Sequence, residues 1–339
     1  MTINIGANIR IHKLSLCVSA ILLILLYLYA IRESSLLTWR SNTDTISLKS
    51  LLAASIKAAE IGGLEVINVH ENIKMIIENK GKTKEGIDDP VTTADYRSHC
   101  AMYNYLLNNF PSSLIISEEK SKGCDDTNKQ DLKIDATILQ HIQNIDDIEV
   151  NVEDITIWID PLDATKEFTE NLLNYVTTMV CIAVKGMPSI GVIHKPFESK
   201  QTYWAWTNHG SSSNLHTLSA TEINKDPVLI VSRSHAGRVY NSSKIALGDD
   251  VRIISAAGAG YKSLEVANRN VTAYIHMTMI KKWDICSGAA IITALGGMVT
   301  SLDGEPLMDF DSKSSVNLNH GILATMMDHR WYLNKFSNL

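Results

Sequence analysis

Ile155-Thr156-Ile157-Trp158-Ile159-Asp160-Pro161-Leu162-Asp163-Ala164-Thr165 begins as a buried-strand pattern and runs without a break into two carboxylates three positions apart. The apolar, β-branched half reads as a short strand inside a sheet, and Pro161 stiffens the turn after it. Like charges held this close repel unless a cation lies between them. Hard oxygen donors at such a turn suit Mg²⁺, which is usually held by a few carboxylates and completed by water and phosphate oxygens. Three further segments bring acids to the ends of elements. Ser117-Glu118-Glu119 follows the run Leu114-Ile115-Ile116, Trp283-Asp284 opens a helical stretch, and Asp95 closes Asp89-Pro90-Val91-Thr92-Thr93-Ala94-Asp95. Taken singly, each has an ordinary structural explanation: Asp284 as a helix N-cap, Asp160 as a turn former, Glu118 as a surface acid.

Around these segments, strand and helix patterns alternate. Leu48, Leu51, Leu52, Ile56 and Ala59 share roughly one face of a helix expected over Ser47 to His70. A second helix is expected over Thr93 to Asn109, closed by Asn108-Asn109-Phe110-Pro111. Thr177 to Val184 and Ser189 to His194 flank Lys185-Gly186-Met187-Pro188 as a hairpin. Later strands are expected at Val228 to Val231, Val251 to Ile254 and Ala273 to His276, with helices starting at Gly260 and Asp284 and the latter ending at Gly296-Gly297. This alternation predicts a layered α/β (α+β) architecture over residues 47 to 339. No repeat or linker divides that stretch, and residues 120 to 154 read as an acidic, solvated loop.

The 339 residues carry a net charge of −6 and are 45% hydrophobic, which excludes extensive disorder and supplies a sizeable core. There is no basic stripe for a nucleic-acid polymer. Five cysteines, none in a CxxC pair, read as too few and too scattered for a disulfide framework or a zinc site. Leu14 to Ile31 holds 18 residues without a charge, close to the lower limit of about 17 residues for a bilayer span. A cleaved signal peptide is the rival reading, but the run exceeds a typical signal core and lacks a small-x-small cleavage site. Arg10 and Lys13 precede the run with no acid, so residues 1 to 13 are expected to be a cytoplasmic tail, 14 to 31 a signal-anchor, 32 to 46 a stem and the remainder luminal. The sequons at Asn241 and Asn270 are compatible with that side, although two could arise by chance.

The ordered set Asp89-x-x-Thr92-x-x-Asp95, Glu118-Glu119, Asp160-Pro161-Leu162-Asp163-Ala164-Thr165 and Trp283-Asp284-x-x-x-Gly288 resembles the lithium-sensitive, Mg²⁺-dependent phosphatases of the inositol monophosphatase superfamily. The resemblance covers about residues 50 to 330. It implies a layered αβαβα sandwich, with two lobes near 47 to 185 and 186 to 339, and it allows a homodimer. Ala164-Thr165-Lys166-Glu167-Phe168, Tyr175 to Cys181, Gly191 to Phe197 and Ser232-Arg233-Ser234-His235 look more specifically like a membrane-anchored Golgi branch of nucleotidases. Members of that branch take the 3′-phosphate from adenosine 3′,5′-bisphosphate, a by-product of luminal sulfotransferases. Ala164 stands where many superfamily members have Gly, and it points to that branch.

Carried onto matching positions, the resemblance assigns Glu118, Asp160 and the Leu162 carbonyl to one Mg²⁺, and Asp160, Asp163 and Asp284 to a second. A third ion would sit near Glu118 and Asp95. Asp95 with Thr165 would orient and deprotonate the attacking water, and the amides from Asp163 through Ala164 to Thr165 would cradle phosphate. Ser232, Arg233, Ser234 and His235 would face the nucleoside, with His235 on adenine. Gly260 would belong to the substrate-binding set, and Lys262, just past Gly258-Ala259-Gly260, and Arg233 would meet the remote 5′-phosphate. An ordinary polar loop and a plain glycine turn are the plainer explanations of these last stretches, and Lys281-Lys282 reads equally as solvated charge. An inositol phosphate phosphatase is the alternative enzyme, and a catalytically silent tethered protein the alternative outside catalysis.

Overall fold

The computed structural model describes residues 2–4, 10–12, 18, 21–29, 44–82, 86, 88–120, 124, 135–198, 200–215, 226–234 and 237–336. It divides into Met1–Thr45 and Ile46–Leu339. In the first unit, residues 2–4 pair antiparallel with residues 10–12, and residues 21–29 are helical with exposed apolar side chains. Among the described residues no helix is long and apolar enough to cross a membrane. Residues 14–17, 19–20 and 30–31 of the span expected over 14 to 31, and nearly all of the stem, lie outside the described residues.

The second unit opens with α1 (Leu48–Asn72), capped by the Ser47 hydroxyl, which accepts from the Ser50 amide. A hairpin of β1 (Ile77–Lys82) and β2 (Asp88–Thr92) leads into α2 (Thr93–Asn109). Then come β3 (Leu114–Ser117), β4 (Ile155–Asp163), the one-turn helix α3 (Thr165–Thr169), β5 (Thr177–Val184), β6 (Met187–Lys195), β7 (Gln201–Trp206) and β8 (Gly210–Ser211). These strands form one six-stranded sheet in the order β8-β7-β6-β5-β4-β3, antiparallel except for the β3/β4 pair. The sheet continues to Ser211, across the 185/186 division expected from the sequence. Lys185 and Gly186, with φ of 51° and 76°, make the two-residue turn whose twist matches a hairpin.

Both faces of this sheet are covered, which is why β4 reads as continuously apolar. Ile157 and Ile159 point toward Leu51, Leu52, Ile56, Met102 and Leu106 of α1 and α2. Trp158 points the other way, into the central core. The rest of the chain adds β9 (Val228–Ser232), α4 (Val239–Leu247), β10 (Arg252–Ala256), α5 (Ala259–Ala267), β11 (Ala273–His276), α6 (Lys282–Ala294), β12 (Met298–Thr300), β13 (Ile322–Thr325) and α7 (His329–Phe336). A five-stranded sheet runs β10-β9-β11-β13-β12. Helices α5 and α6 fill the space between the sheets, with Leu264, Val266, Ile285 and Ala289 meeting Trp158 and Ile193 on one side and Ile230 and Tyr274 on the other. Val239, Tyr332 and Phe336 of α4 and α7 cover the outer face through Leu229, Val231 and Leu323. The result is the five-layer αβαβα sandwich, and it brings the C-terminal ends of β4 and β9 and the N-terminal ends of α5 and α6 to one edge.

Three expectations are corrected. Four of the five cysteines pair, as Cys100–Cys124 and Cys181–Cys286, and Cys17 lies outside the described residues. The stretch 120 to 154 is not simply a solvated loop: it holds a short helix, Ala136–His141, whose Ile138 packs with Ile142 against α1. Lys282 is buried, with its ammonium 5.7 Å from the Trp158 ring centre and hydrogen-bonded to the Ser314 hydroxyl. Lys281 is half-buried at the site's edge, with its ammonium 5.3 Å from the Trp283 ring centre.

Candidate active site

A depression of about 360 Å³ opens at that edge. It is lined by Glu118, Asp160, Leu162, Asp163, Ala164, Thr165 and Asp284 at its floor and by Ser232, Arg233 and Ser234 at its rim. Four segments far apart in sequence meet there because strand ends and helix starts share one edge of the sandwich, the usual place for a site in sheets of this kind. Ala164, at φ 70°, is left-handed and turns β4 into α3.

Asp95 sits behind Thr165 and is 1% exposed. Its Oδ2 accepts the Thr92 amide and hydroxyl, both at 2.7 Å, while Oδ1 accepts the Thr165 hydroxyl at 2.9 Å. Burial outweighs these donors and pushes its carboxyl up to about 6. Thr165 Oγ1 also lies 3.1 Å from the Leu162 carbonyl. The hydroxyl therefore forms the only polar bridge described between Asp95 and the depression.

Asp163 receives the Ala259 amide at 3.1 Å, the Gly260 amide at 2.8 Å and the Thr177 hydroxyl at 3.1 Å. It thus caps the N-terminus of α5, where unpaired amides and the helix dipole favour an anion. Gly260 is therefore placed differently from the sequence expectation. It lies behind Asp163 rather than on the depression, and a Cβ there would come 2.5 Å from Thr177 Oγ1. Gly258, at φ 67°, permits the turn itself. Asp284 accepts the Lys281 amide at 3.0 Å and caps α6. Lys80 of β1 bridges Glu118 and Glu119, reaching Glu118 Oε1 at 3.1 Å.

Asp160 is 2% exposed, and its Oδ1 is a buried acceptor without a hydrogen-bond partner. Burial, reinforced by Glu118, Asp163, Asp284 and Asp95, holds its carboxyl well above the ordinary range. Burial also raises Glu118, Asp163 and Asp284. Among the described residues no three His, Cys, Asp or Glu side chains are gathered closely enough to hold a metal as they stand, because each carboxylate except Asp160 is drawn to a protein donor. The donor set nevertheless fits a hard divalent cation: it consists of crowded carboxylates plus a carbonyl, with one buried oxygen lone pair unanswered.

On the rim, Ser232 Oγ lies 3.1 Å from His276 Nδ1. Arg233 pairs with Glu170 at 2.8 Å and Glu167 at 3.4 Å, and Ser234 donates to Glu167 at 3.0 Å. The cation expected to meet a remote phosphate is therefore already matched by two carboxylates. Lys262 does line the depression, yet it is buried, donates to the Gly258 carbonyl at 2.6 Å and is pushed down to about 8 by burial. His235 lies outside the described residues. Sequence reasoning passed over Lys80, Glu167, Tyr274 and His276. Glu167, two residues after the Asp160 to Thr165 motif, was the one with a positional signal.

Crowded carboxylates at the strand ends of an αβαβα sandwich, a donor set for a hard divalent cation, suit a metal-dependent phosphatase. The inositol monophosphatase family model matches residues 47–335, and the chain belongs to that family, whose enzymes are metal-dependent phosphatases, typically with Mg²⁺. It is 45% identical over 305 residues to inositol monophosphatase 3 of Xenopus tropicalis, covering 86% of this chain and 84% of that protein. It is 43% identical over 307 residues to the Golgi-resident adenosine 3′,5′-bisphosphate 3′-phosphatase of Mus musculus, covering 88% and 84%. Among solved structures, the extragenic suppressor protein suhB of Bartonella henselae has the same fold, with a TM-score of 0.63 at 19% identity over 84% of this chain and 97% of that one.

Proposed function

We propose that the chain is a Mg²⁺-dependent, lithium-sensitive 3′(2′),5′-bisphosphate nucleotidase, converting adenosine 3′,5′-bisphosphate to AMP and phosphate in the Golgi lumen and so clearing a sulfotransferase by-product. The observation that carries this reading is the continuity of the depression from the carboxylate floor to the Ser232-Arg233-Ser234 rim, which leaves room for a leaving group with its own polar contacts. The likeness to the mouse Golgi phosphatase supports it. The two disulfides fit an oxidising compartment.

In this reading Glu118, Asp160 and the Leu162 carbonyl would hold one ion, and Asp160, Asp163 and Asp284 a second. Glu118 and Asp95 would lie near a third. Bound Mg²⁺ neutralises phosphate oxygens and lowers the pKa of water. Thr165 orients the attacking water and would take a proton from it as its own hydroxyl proton passes to Asp95, whose buried carboxyl suits it as the base. The amides at Ala164 and Thr165 receive a phosphate oxygen. Ser232, Ser234 and His235 face the nucleoside, while Lys262 and Arg233 bias the site toward a second phosphate. Glu167 and Glu170 temper that bias by holding Arg233.

Phosphate release by the purified protein across a panel of nucleotide and inositol phosphates tests this. Turnover should be fastest on adenosine 3′,5′-bisphosphate and should fall in excess Li⁺. A higher kcat/KM on inositol monophosphates would establish the alternative, which the name of the Xenopus relative favours. An uncleaved anchor at 14 to 31 would keep the protein in membranes after alkaline washing, with the catalytic unit protected from protease in sealed vesicles. Glycosidase sensitivity at Asn241 or Asn270, both exposed, would report the same side.

A further inference from the structure

The two disulfides take no part in the chemistry above, yet each ties a segment that carries a site carboxylate to one that carries another or is paired with it. Asp284 is the third residue of α6, and its hydrogen bond from the Lys281 amide fixes it to the first turn of that helix. Two residues later, Cys286 is bonded to Cys181 on β5. In the β4/β5 ladder Cys181 faces Trp158, and Met179 faces Asp160. This crosslink therefore ties the helix of Asp284 to the strand paired with Asp160, one side-chain repeat away. The other bond has the same logic. Cys100 follows Asp95 by five residues on α2, and Cys124 follows Glu118 by six, so Cys100–Cys124 closes the Glu118 segment onto the helix of Asp95. His99 reinforces the closure through Ser117 Oγ at 2.8 Å.

Crowded, buried carboxylates repel and push their supporting segments apart. Lys80 opposes this at Glu118 and Glu119, and Lys262 does so in part at Asp163 and Asp284. We propose that the disulfides are positioning devices for the carboxylate cluster: Cys181–Cys286 holds Asp284 against Asp160, Cys100–Cys124 holds Glu118 against Asp95, and divalent-cation affinity depends on both. The inference rests on the family's metal-dependent chemistry and is independent of the nucleotide reading.

The competing explanation is simple stabilisation, since any crosslink restricts the unfolded chain. Calorimetric titration of the metal-stripped full-length protein with Mg²⁺, in the absence of substrate, separates the two. Cys181→Ala/Cys286→Ala and Cys100→Ser/Cys124→Ser should each bind Mg²⁺ about ten- to hundredfold more weakly, the range seen when supports behind metal ligands are removed. Val239→Ala, in the outer cluster of α4, should lower Tm without changing Mg²⁺ affinity. If the core pair fails to fold, the half-buried Cys100/Cys124 pair decides. A folded double variant whose affinity stays within about twofold of the parent overturns the proposal for that bond. A parent that binds no Mg²⁺ would instead overturn the metal assignment.

Discussion

Gly260→Ala distinguishes a residue that contacts substrate from one that makes room for Asp163. The added Cβ would stand 2.5 Å from Thr177 Oγ1, 2.7 Å from Met179 Sδ and 3.2 Å from Asp163 Oδ2, where ordinary contact begins at 3.4 Å. The shortfall is about 0.9 Å at Thr177 and 0.7 Å at Met179. Met179 is fully buried in the central core, and Thr177 is held by Asp163, so neither yields freely. Helix α5 must therefore back away by most of an ångström and draw its first two amides off Asp163. Overpacking of this kind costs about 1–3 kcal/mol. A displacement of about 1 Å in a catalytic constellation costs on the order of a hundredfold in rate. The variant should thus show a lower Tm by thermal unfolding and a kcat reduced on nucleotide and inositol substrates alike. A normal kcat with a raised KM for nucleotide alone would refute this reasoning and return Gly260 to the substrate-binding set.

Asp160→Asn should abolish Mg²⁺-dependent turnover yet raise the Tm of the metal-free protein, because it removes a carboxyl whose ionisation burial and neighbouring acids oppose and whose Oδ1 has no partner; a lower Tm would show that the carboxyl is already satisfied. Asp95, Glu118, Asp160, Asp163 and Asp284 all have raised folded-state pKa values, Asp95 reaching about 6. The folded state then holds more protons than the unfolded one above about pH 4, so metal-free stability should fall as pH rises from about 4 to 7. Mg²⁺ should reverse the trend, and a metal-free Tm that climbs over that interval would contradict the burial of these acids. Glu167→Ala releases Ser234 and leaves Arg233 paired with Glu170 alone. A hydrogen bond to a charged group is worth about 1.5–3 kcal/mol, reduced here because Arg233 is 40% exposed, so kcat/KM on adenosine 3′,5′-bisphosphate should change by about tenfold, with a smaller change on an inositol monophosphate. Equal changes on both substrates would make Glu167 purely architectural.

The sandwich was legible because its strands are buried on both faces and announce themselves as unbroken apolar runs, as from Ile155 to Ile159. The hairpin was legible from Lys185-Gly186, and α2 begins and ends at the residues its caps predict. Helices α4 and α7 escaped because Ser242, Ser243 and His329 are buried where the pattern would look for apolar residues. At the site, the motifs named Glu118, Asp160, Asp163 and Asp284, which the fold brings to one depression, but not what each one touches. Asp163 and Gly260 meet across 97 residues, and Cys181 and Cys286 across 105, separations over which local periodicity carries no information. Lys80 belongs to the same class: a charged residue on an exposed hairpin whose partners are set by the folding of β1 onto β3's end.

Ala164 carries a left-handed backbone that costs an alanine about 1–2 kcal/mol. The residue does not choose this conformation, so its neighbours must impose it: Pro161 before it, the Thr165 hydroxyl returning to Leu162, and Phe168 anchored among Val66, Leu162 and Val176. The bend at the floor of the depression is therefore a property of the surrounding architecture rather than of its own letters. Grafted onto another sheet, Asp160 to Thr165 would relax out of shape unless the pocket beneath Phe168 travelled with it. Anyone transplanting this hexapeptide into a new scaffold would do better to write glycine at the fifth position and let the residue supply what the host cannot.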